Sequence, residues 1–279
     1  GRPPAHHMKT PDAFVHAIRD ELHRDRAERP HAPTPRSEPI IELRDVWLSF
    51  DSEPVLRGVD LHVHKGENLV VVGESGCGKS TLLKLILRLL VPDHGEIRIF
   101  GREINHISFD EARAIRRRIG MVFQNAALFD SLSIYDNVAY PLRENTDLDE
   151  ARIQRKVRQC LDFVDLDPEI VMPRLPAELS GGMRKRVGIA RAIASDPEIV
   201  LYDEPTAGLD PLAVATINRL IRKLQAGLGV ASVIVTHDIR AGFRVATRVN
   251  LLRDGKIRFD GTPEEMVATE DPYIRAFLS

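Results

Sequence analysis

The residues with the clearest chemistry form a glycine-rich segment that ends in a lysine and a hydroxyl. Residues 73–80 read Gly-Glu-Ser-Gly-Cys-Gly-Lys-Ser, after the apolar run 68–72 and before a helical pattern. Glycines at this spacing let several backbone N–H groups turn inward and form a nest for phosphate oxygens. Lys79 is expected to reach the β- and γ-phosphates of a nucleoside triphosphate, and Ser80 to hold Mg²⁺. The expected binding residues of this phosphate loop are Gly73, Glu74, Ser75, Gly76, Cys77, Gly78, Lys79, Ser80 and Thr81.

A pair of carboxylates follows another apolar run, residues 199–202. Parallel α/β sheets place ligands at the carboxyl ends of their strands, which is where this pair is expected. Asp203 is predicted to hold the Mg²⁺ shell, and Glu204 to orient or deprotonate an attacking water. The alternative is a solvated strand end before the turn at Pro205, and the phosphate loop makes that alternative much weaker.

A second segment suited to anions precedes a basic helical pattern. Residues 179–183, the signature loop, read Leu-Ser-Gly-Gly-Met, and residues 184–194 continue as a helix. A serine and two glycines at a helix start form an anion site without a lysine. One nucleotide does not need two such loops from one chain. We therefore expect Ser180, Gly181 and Gly182 to contact a nucleotide held mainly by a second copy of the chain.

With these three elements, the chain resembles the ABC ATPase family, whose signature is Leu-Ser-Gly-Gly-Gln. Met183 replaces the usual glutamine but leaves the serine and the glycines in place. The resemblance covers roughly residues 40–262. It implies an α/β P-loop NTPase core with a mostly parallel sheet, an antiparallel β subdomain, and a helical subdomain over about 125–190. It also implies ATP and Mg²⁺ as cofactors.

Four further residues acquire roles from this resemblance. Phe50 is similar to the aromatic that stacks on adenine, although a core aromatic would also fit its sequence. Gln124 resembles the glutamine that senses Mg²⁺ and the attacking water. Asp210 resembles the acidic member of a loop that crosses the dimer interface, and His237 the switch histidine at the γ-phosphate. The expected catalytic residues are Glu204, His237, Gln124 and Lys79, and the expected metal ligands are Ser80, Gln124 and Asp203.

The order of strand and helix patterns supports an α/β fold without the resemblance. Strands are predicted over 41–50, 68–72, 198–202 and 231–236, and helices over 80–90, 184–194, 212–228 and from Pro263 onward as one helix. Short buried strands that alternate with helices indicate a mostly parallel sheet covered on both faces.

Composition limits the class of protein, and the N-terminal residues indicate where the main domain begins. The apolar fraction of 43% is ample for a core, and a net charge of −2 argues against nucleic acid as the main partner. Only two cysteines, Cys77 and Cys160, favour a reduced, cytosolic chain. Residues 1–37 are expected to be an N-terminal extension and proline-rich linker, in which 1–7 read as an expression scar. The ATPase domain is expected over 38–279.

Two longer segments resemble the ATPases of Mla/Mce-type lipid transport systems. These are residues 127–144, with Ala-Leu-Phe and Asp-Asn-Val-Ala-Tyr-Pro-Leu-Arg-Glu, and residues 179–187 with their methionine. The resemblance implies phospholipid transport between bacterial membranes, driven from the cytoplasmic face of the inner membrane. The implied partners are a second copy, a membrane permease, a periplasmic Mce-domain protein and, in some members, a small STAS-domain protein. Leu128 and Phe129 are the residues we expect to contact the permease.

The sequence is also compatible with other functions. The ATPase of another importer, for amino acids or metals, would share every catalytic motif. A non-transport ABC ATPase is disfavoured because the chain has no room for long coiled-coil insertions and contains one cassette. A P-loop GTPase or kinase is disfavoured because no Asn-Lys-x-Asp motif is present and the signature loop would have no purpose there. An inactive binding module is disfavoured because Glu204 and His237 are both in place. Finally, Lys79 and the helix start beside Cys77 are expected to favour its thiolate, with burial of the side chain, which would make it inert, as the alternative.

Overall fold

The structure is a computed structural model, and it describes residues 38–278. The predicted N-terminal extension and proline-rich linker, residues 1–37, lie outside the described residues. The strands are β1 (Ile41–Phe50), β2 (Glu53–Val63), β3 (Asn68–Val72), β4 (His94–Ile99), β5 (Arg102–Glu103), β6 (Ile119–Val122), β7 (Ile199–Asp203), β8 (Ala231–Thr236), β9 (Arg248–Arg253) and β10 (Lys256–Gly261).

The helices alternate with these strands along the chain. They are α1 (Lys79–Ile86), α2 (Phe109–Arg116), α3 (Ile134–Asn145), α4 (Glu150–Phe163), α5 (Pro168–Val171), α6 (Gly181–Ile193), α7 (Pro211–Leu228), α8 (Ile239–Val245), α9 (Pro263–Ala268) and α10 (Pro272–Phe277), with a 3₁₀ helix at Pro176–Glu178. Within residues 38–278, no helix combines the length and apolar character that crossing a bilayer requires.

Six strands form the main sheet, in the order β10-β9-β3-β8-β7-β6. All neighbouring pairs are parallel except β10 and β9 at one edge. Strands β3, β7 and β8 lie inside the sheet, so the residues that follow them meet at one edge. The predicted mostly parallel sheet is confirmed.

Strand β3 shows why the runs in this sheet are continuously apolar. Leu69 and Val71 pack into a core shared with the antiparallel sheet and α1, whereas Val70 and Val72 pack into a core shared with α3, α4, α6, α7 and α8. Since successive side chains of a strand point to opposite faces, a strand covered on both faces must be apolar throughout.

A second sheet is wholly antiparallel, with strand order β2-β1-β4-β5. It packs over one face of the main sheet and places Phe50, at the end of β1, near the phosphate loop. Both sheets agree with the predicted fold class. The boundaries of a helical subdomain at about 125–190 stay a prediction.

Two predicted helices differ from those observed. The helix expected over 80–90 ends at Ile86, because Arg88 adopts a left-handed φ of 54° and its guanidinium binds the carbonyls of Ile104 and Asn105. The single helix expected from Pro263 onward is two, α9 and α10. Asp271 caps α10 by accepting hydrogen bonds from the N–H groups of Tyr273 and Ile274, which starts a new helix.

Candidate active site

The phosphate loop joins β3 to α1, and glycine is required at two of its positions. Gly78 has a φ of 103°, a left-handed conformation that side chains disfavour. A Cβ on Gly73 would lie 2.4 Å from the carbonyl oxygen of Leu252, which is too close for any other residue. These glycines therefore let the loop curl tightly beside β9.

Lys79 lies inside the curl of this loop. Its side chain is 7% exposed, and Nζ donates hydrogen bonds of 2.8 Å to the carbonyls of Gly73 and Glu74. The ammonium is thus held against the backbone of the loop, as a positive charge suited to phosphate oxygens.

Ser80 and Asp203 meet at the end of β7. The Ser80 hydroxyl donates to Asp203 Oδ1 at 3.0 Å. Burial raises the pKa of the Asp203 carboxyl, and the Ser80 hydrogen bond opposes that rise. A hydroxyl and a half-buried carboxylate are hard oxygen donors of the kind that Mg²⁺ prefers, and a cation there would favour the ionised carboxylate. The two residues therefore fit the Mg²⁺ that the sequence predicts.

Glu204 is held in an unusual backbone conformation beside this pair. Its φ is 47°, in the left-handed region. Its carboxylate accepts hydrogen bonds from the N–H of His237 at 3.0 Å and from the Thr236 hydroxyl at 3.1 Å. The Nδ1 atom of His237 lies 3.0 Å from the same carboxylate. These contacts aim the carboxylate from the end of β7 toward that of β8.

One cleft of about 410 Å³ collects most of the predicted site residues. This volume lies within the range of small-ligand sites. Phe50, which is 45% exposed, and Gln124 stand on its walls. The predicted residues that line the cleft are Phe50, Ser75, Gly76, Gly78, Lys79, Ser80, Thr81, Gln124, Asp203, Glu204 and His237. Glu74 and Cys77 line a neighbouring cleft on the outer side of the loop.

The signature loop lies in a separate cleft. Ser180 caps α6 by accepting a hydrogen bond from the N–H of Met183. Asp210 caps α7, accepting from the N–H groups of Leu212 and Ala213 at 3.0 Å each. Ser180, Gly181, Gly182 and Asp210 share this second cleft, and none of them lines the cleft around Lys79. Within one copy of the described chain, the signature loop and the phosphate loop therefore line two clefts that share no residue.

An apolar groove opens beyond Gln124. Phe129, Tyr140 and Pro141 line it, and the rings of Phe129 and Tyr140 lie 4.9 Å apart. Leu128, in contrast, is partly buried and packs against the main core rather than the groove. Of the two residues predicted to contact a permease, Phe129 lines the groove and Leu128 does not, and the contact of either with a permease stays a prediction.

The expectation that Cys77 is a thiolate is wrong. Burial raises the pKa of the Cys77 thiol, and the positive charge of Lys79 only partly opposes that rise. The charge of Lys79 is visible in the sequence, but the burial of the thiol is not.

A raised thiol pKa predicts how Cys77 reacts. In a Cys160→Ala variant, alkylation at neutral pH is expected to be slower than that of an exposed thiol and to rise as pH passes above about 8.5. Saturating ATP is expected to protect. The matched variant Cys77→Ala should label more slowly still, because burial raises the pKa of Cys160 to about 11. Fast labelling that does not change between pH 6 and 8, by mass spectrometry, would contradict the burial argument.

Sequence reasoning missed three residues that touch the site. Thr236 binds Glu204, Lys185 donates to the carbonyls of Gln124 and Glu204, and the Tyr273 hydroxyl donates to Glu74 Oε1 at 3.2 Å. The sequence shows that the helix carrying Lys185 is basic, but it does not show that this side chain is buried. Tyr273 carried no local signal, because its contact joins distant parts of the chain.

Known proteins with similar sequences belong to one family. The family model described as ABC transporter matches residues 56–207. The intermembrane phospholipid transport system ATP-binding protein MlaF of Haemophilus influenzae is 38% identical over 239 residues, which are 86% of this chain and 90% of that protein. The chloroplastic protein TRIGALACTOSYLDIACYLGLYCEROL 3 of Arabidopsis thaliana is 41% identical over 260 residues, 87% of this chain and 74% of that protein.

A solved structure agrees with the sequence relatives. The dimeric ATP-binding cassette MJ0796, in a post-hydrolysis state bound to ADP and Pi, matches with a TM-score of 0.73 and 34% identity. The match covers 80% of this chain and 98% of that chain. The chain therefore belongs to the ABC transporter family, as one of its ATP-binding, ATP-hydrolysing subunits.

Proposed function

We propose that two copies of the chain enclose ATP between the phosphate loop of one copy and the signature loop of the other. The observation that carries this proposal is the separation of the two clefts. Lys79, Asp203 and Glu204 line one, whereas Ser180 and Asp210 line another. A head-to-tail pair of copies would bring each half to its complement, and MJ0796 is a dimer of this family.

In each proposed site, Glu204 acts on the attacking water. Its carboxylate takes a proton as the water oxygen bonds to the γ-phosphorus and the bond to ADP breaks. The N–H of His237 and the hydroxyl of Thr236 hold that carboxylate in place. Lys79 and the N–H groups of the two loops stabilise the negative charge on the phosphate oxygens. Ser80, Asp203 and Gln124 would hold Mg²⁺ in this cleft, and the ion would supply positive charge that neutralises the phosphates.

The cargo we propose is phospholipid. Two observations support it: the similarity to MlaF, a subunit of an intermembrane phospholipid transport system, and the segments 127–144 and 179–187. The groove that contains Phe129 and Tyr140 would receive a helix of a membrane permease. The complex would lie at the cytoplasmic face of a bacterial inner membrane, with a periplasmic Mce-domain protein and, in some systems, a STAS-domain protein.

Affinity purification of the tagged chain from native membranes tests the cargo. We expect a permease and an Mce-domain protein to co-purify, with bound phospholipid detected by mass spectrometry. The matched control is a double variant of the groove, Phe129→Asp with Tyr140→Asp, which should lose the permease because charges replace apolar contacts. Recovery of a permease for amino acids or metals would contradict phospholipid as the cargo and leave ATP hydrolysis intact.

A further inference from the structure

A buried lysine on α6 contacts the backbone of two active-site residues without lining the cleft itself. Lys185 follows the signature loop on the same helix, and 6% of its surface is exposed. Its Nζ donates to the carbonyl of Gln124 and, at 3.2 Å, to the carbonyl of Glu204. One ammonium therefore joins Glu204, which the proposed mechanism places at the attacking water, to Gln124 on the wall of the same cleft.

Removing this ammonium from water costs free energy, which its hydrogen-bond partners and nearby charges must offset. Burial lowers the pKa of Lys185, whereas the carboxylates of Glu204 and Asp203 act in the opposite direction. A buried cation is tolerated when hydrogen bonds and opposite charges meet it, and here two carbonyls and two nearby carboxylates do so. An apolar side chain of similar length would pack on α6 without that cost, so packing alone does not account for a lysine.

The backbone of Glu204 shows what the lysine stabilises. The left-handed φ of this residue is disfavoured for side chains other than glycine and persists only where the surroundings hold it. The Glu204 N–H donates to the carbonyl of Val235 at 2.9 Å. Its carbonyl accepts from the N–H of Ala207 at 3.2 Å and from Lys185. Lys185 thus supplies one of three bonds that fix the peptide carrying the carboxylate.

The segment after Gln124 is held by the same helix. Arg191 donates to the carbonyls of Ala126 at 2.7 Å and Ala127 at 2.8 Å. Both alanines have left-handed φ values, 59° and 46°. Between the two cations, Gly188 lets α6 approach this segment, since an added Cβ would lie 3.3 Å from that of Ala126. Helix α6 therefore fixes residues 124–127 through backbone carbonyls.

We propose that Lys185 is a positioning residue for ATP hydrolysis. It holds the backbones of Gln124 and Glu204 in a fixed position relative to the signature loop, which lies at the start of the helix that carries Lys185. This inference rests on the proposed function, in which Glu204 acts on the water. Because Ser180 faces the nucleotide of the other copy, Lys185 would also connect the two sites of a dimer. Movement of α6 in response to the nucleotide at its signature loop would shift the Glu204 carboxylate, which acts at the other nucleotide of the dimer.

Steady-state ATPase kinetics of four proteins test this role: wild type, Lys185→Met, Lys185→Arg and Lys223→Met. Lys185→Met keeps the length and loses the donors, so kcat is expected to fall at least about tenfold while KM for ATP changes less than about threefold. Lys185→Arg, which keeps two donors, should recover most of kcat. Lys223→Met is the matched control, because Lys223 also donates to a carbonyl, that of Phe163, but far from the cleft.

A double-variant cycle separates positioning from general destabilisation. If Lys185 acts through Glu204, Lys185→Met should slow single-turnover hydrolysis clearly less in a Glu204→Gln background than in the wild type. Wild-type kcat in Lys185→Met, or an equal loss in both backgrounds, would overturn the proposal. If Lys185→Met does not fold, Lys185→Leu, which is neutral and also lacks a donor, replaces it under the same criteria. A wild-type protein without ATPase activity would overturn the proposed function itself, and with it this role.

Discussion

Glu204→Gln is expected to bind ATP as the wild type does and to hydrolyse it at least about a hundredfold more slowly, since general-base assistance contributes roughly 10²–10⁴-fold. The amide keeps the shape of the side chain and its contact with Thr236, but it cannot accept the proton of the water. Because Glu204 lies at the end of β7 and touches no residue of the phosphate loop in the described contacts, binding of the phosphates should persist.

Single-turnover hydrolysis and equilibrium binding of ATP, measured on the same preparation, check this prediction. Glu198→Gln is the matched control, because Glu198 precedes the same strand at its opposite end. Its ion pair with Arg118 is solvent-exposed, and such pairs contribute little to stability. A Glu204→Gln protein that turns over at the wild-type rate would show that another group accepts the proton.

Lys79→Ala, in contrast to Glu204→Gln, is expected to weaken the binding of ATP. Hydrogen bonds to charged groups contribute about 1.5–3 kcal/mol, so ATP affinity should fall at least about tenfold. The substitution also removes the donor that holds the carbonyls of Gly73 and Glu74, which loosens the loop itself.

Isothermal titration of ATP into Lys79→Ala, with Lys84→Ala as control, measures this loss. Lys84 lies on the same helix α1, but its side chain is exposed and lines no part of the cleft. Unchanged affinity in Lys79→Ala would mean that the phosphates do not reach this loop. The pair of variants thus separates binding, which Lys79 supports, from hydrolysis, which Glu204 supports.

The phosphate loop and the ends of the strands could be predicted because their signals are local. Residues 73–80 carry the glycines, the lysine and the serine in one stretch, between an apolar strand and a helix. Strands β1, β3 and β8 begin and end as predicted, since each is bounded by polar or turn residues. The split between α9 and α10 also has a local signal, because Asp271 before Pro272 is typical of a helix start.

Other features depend on packing and could not be predicted from neighbouring residues. Lys185 points inward because α6 packs against β6, and a basic helical stretch does not reveal which face is buried. The pKa of Cys77 rises because of burial, whereas the sequence shows only the charge of Lys79. Leu128 packs on the core and Phe129 lines the groove, although the two are adjacent.

The roles predicted for the site residues stay predictions, and their geometry limits what each can do. Asp210 uses a carboxylate oxygen to cap α7, so any contact with a second copy must come from its other oxygen or from the exposed loop before it. Phe50 is exposed at the rim of the cleft rather than buried in the core, which favours the adenine role over that of a core aromatic.

The most direct test of the shared site is the mass of the Glu204→Gln protein in solution, by size exclusion with light scattering, at saturating ATP and Mg²⁺. Enclosure of ATP between two copies predicts a dimer with ATP and a monomer when Ser180→Arg is added, because the bulky cation blocks the signature loop. A monomer that holds ATP without Ser180→Arg, or a dimer that forms equally well with it, would contradict a site shared between two copies.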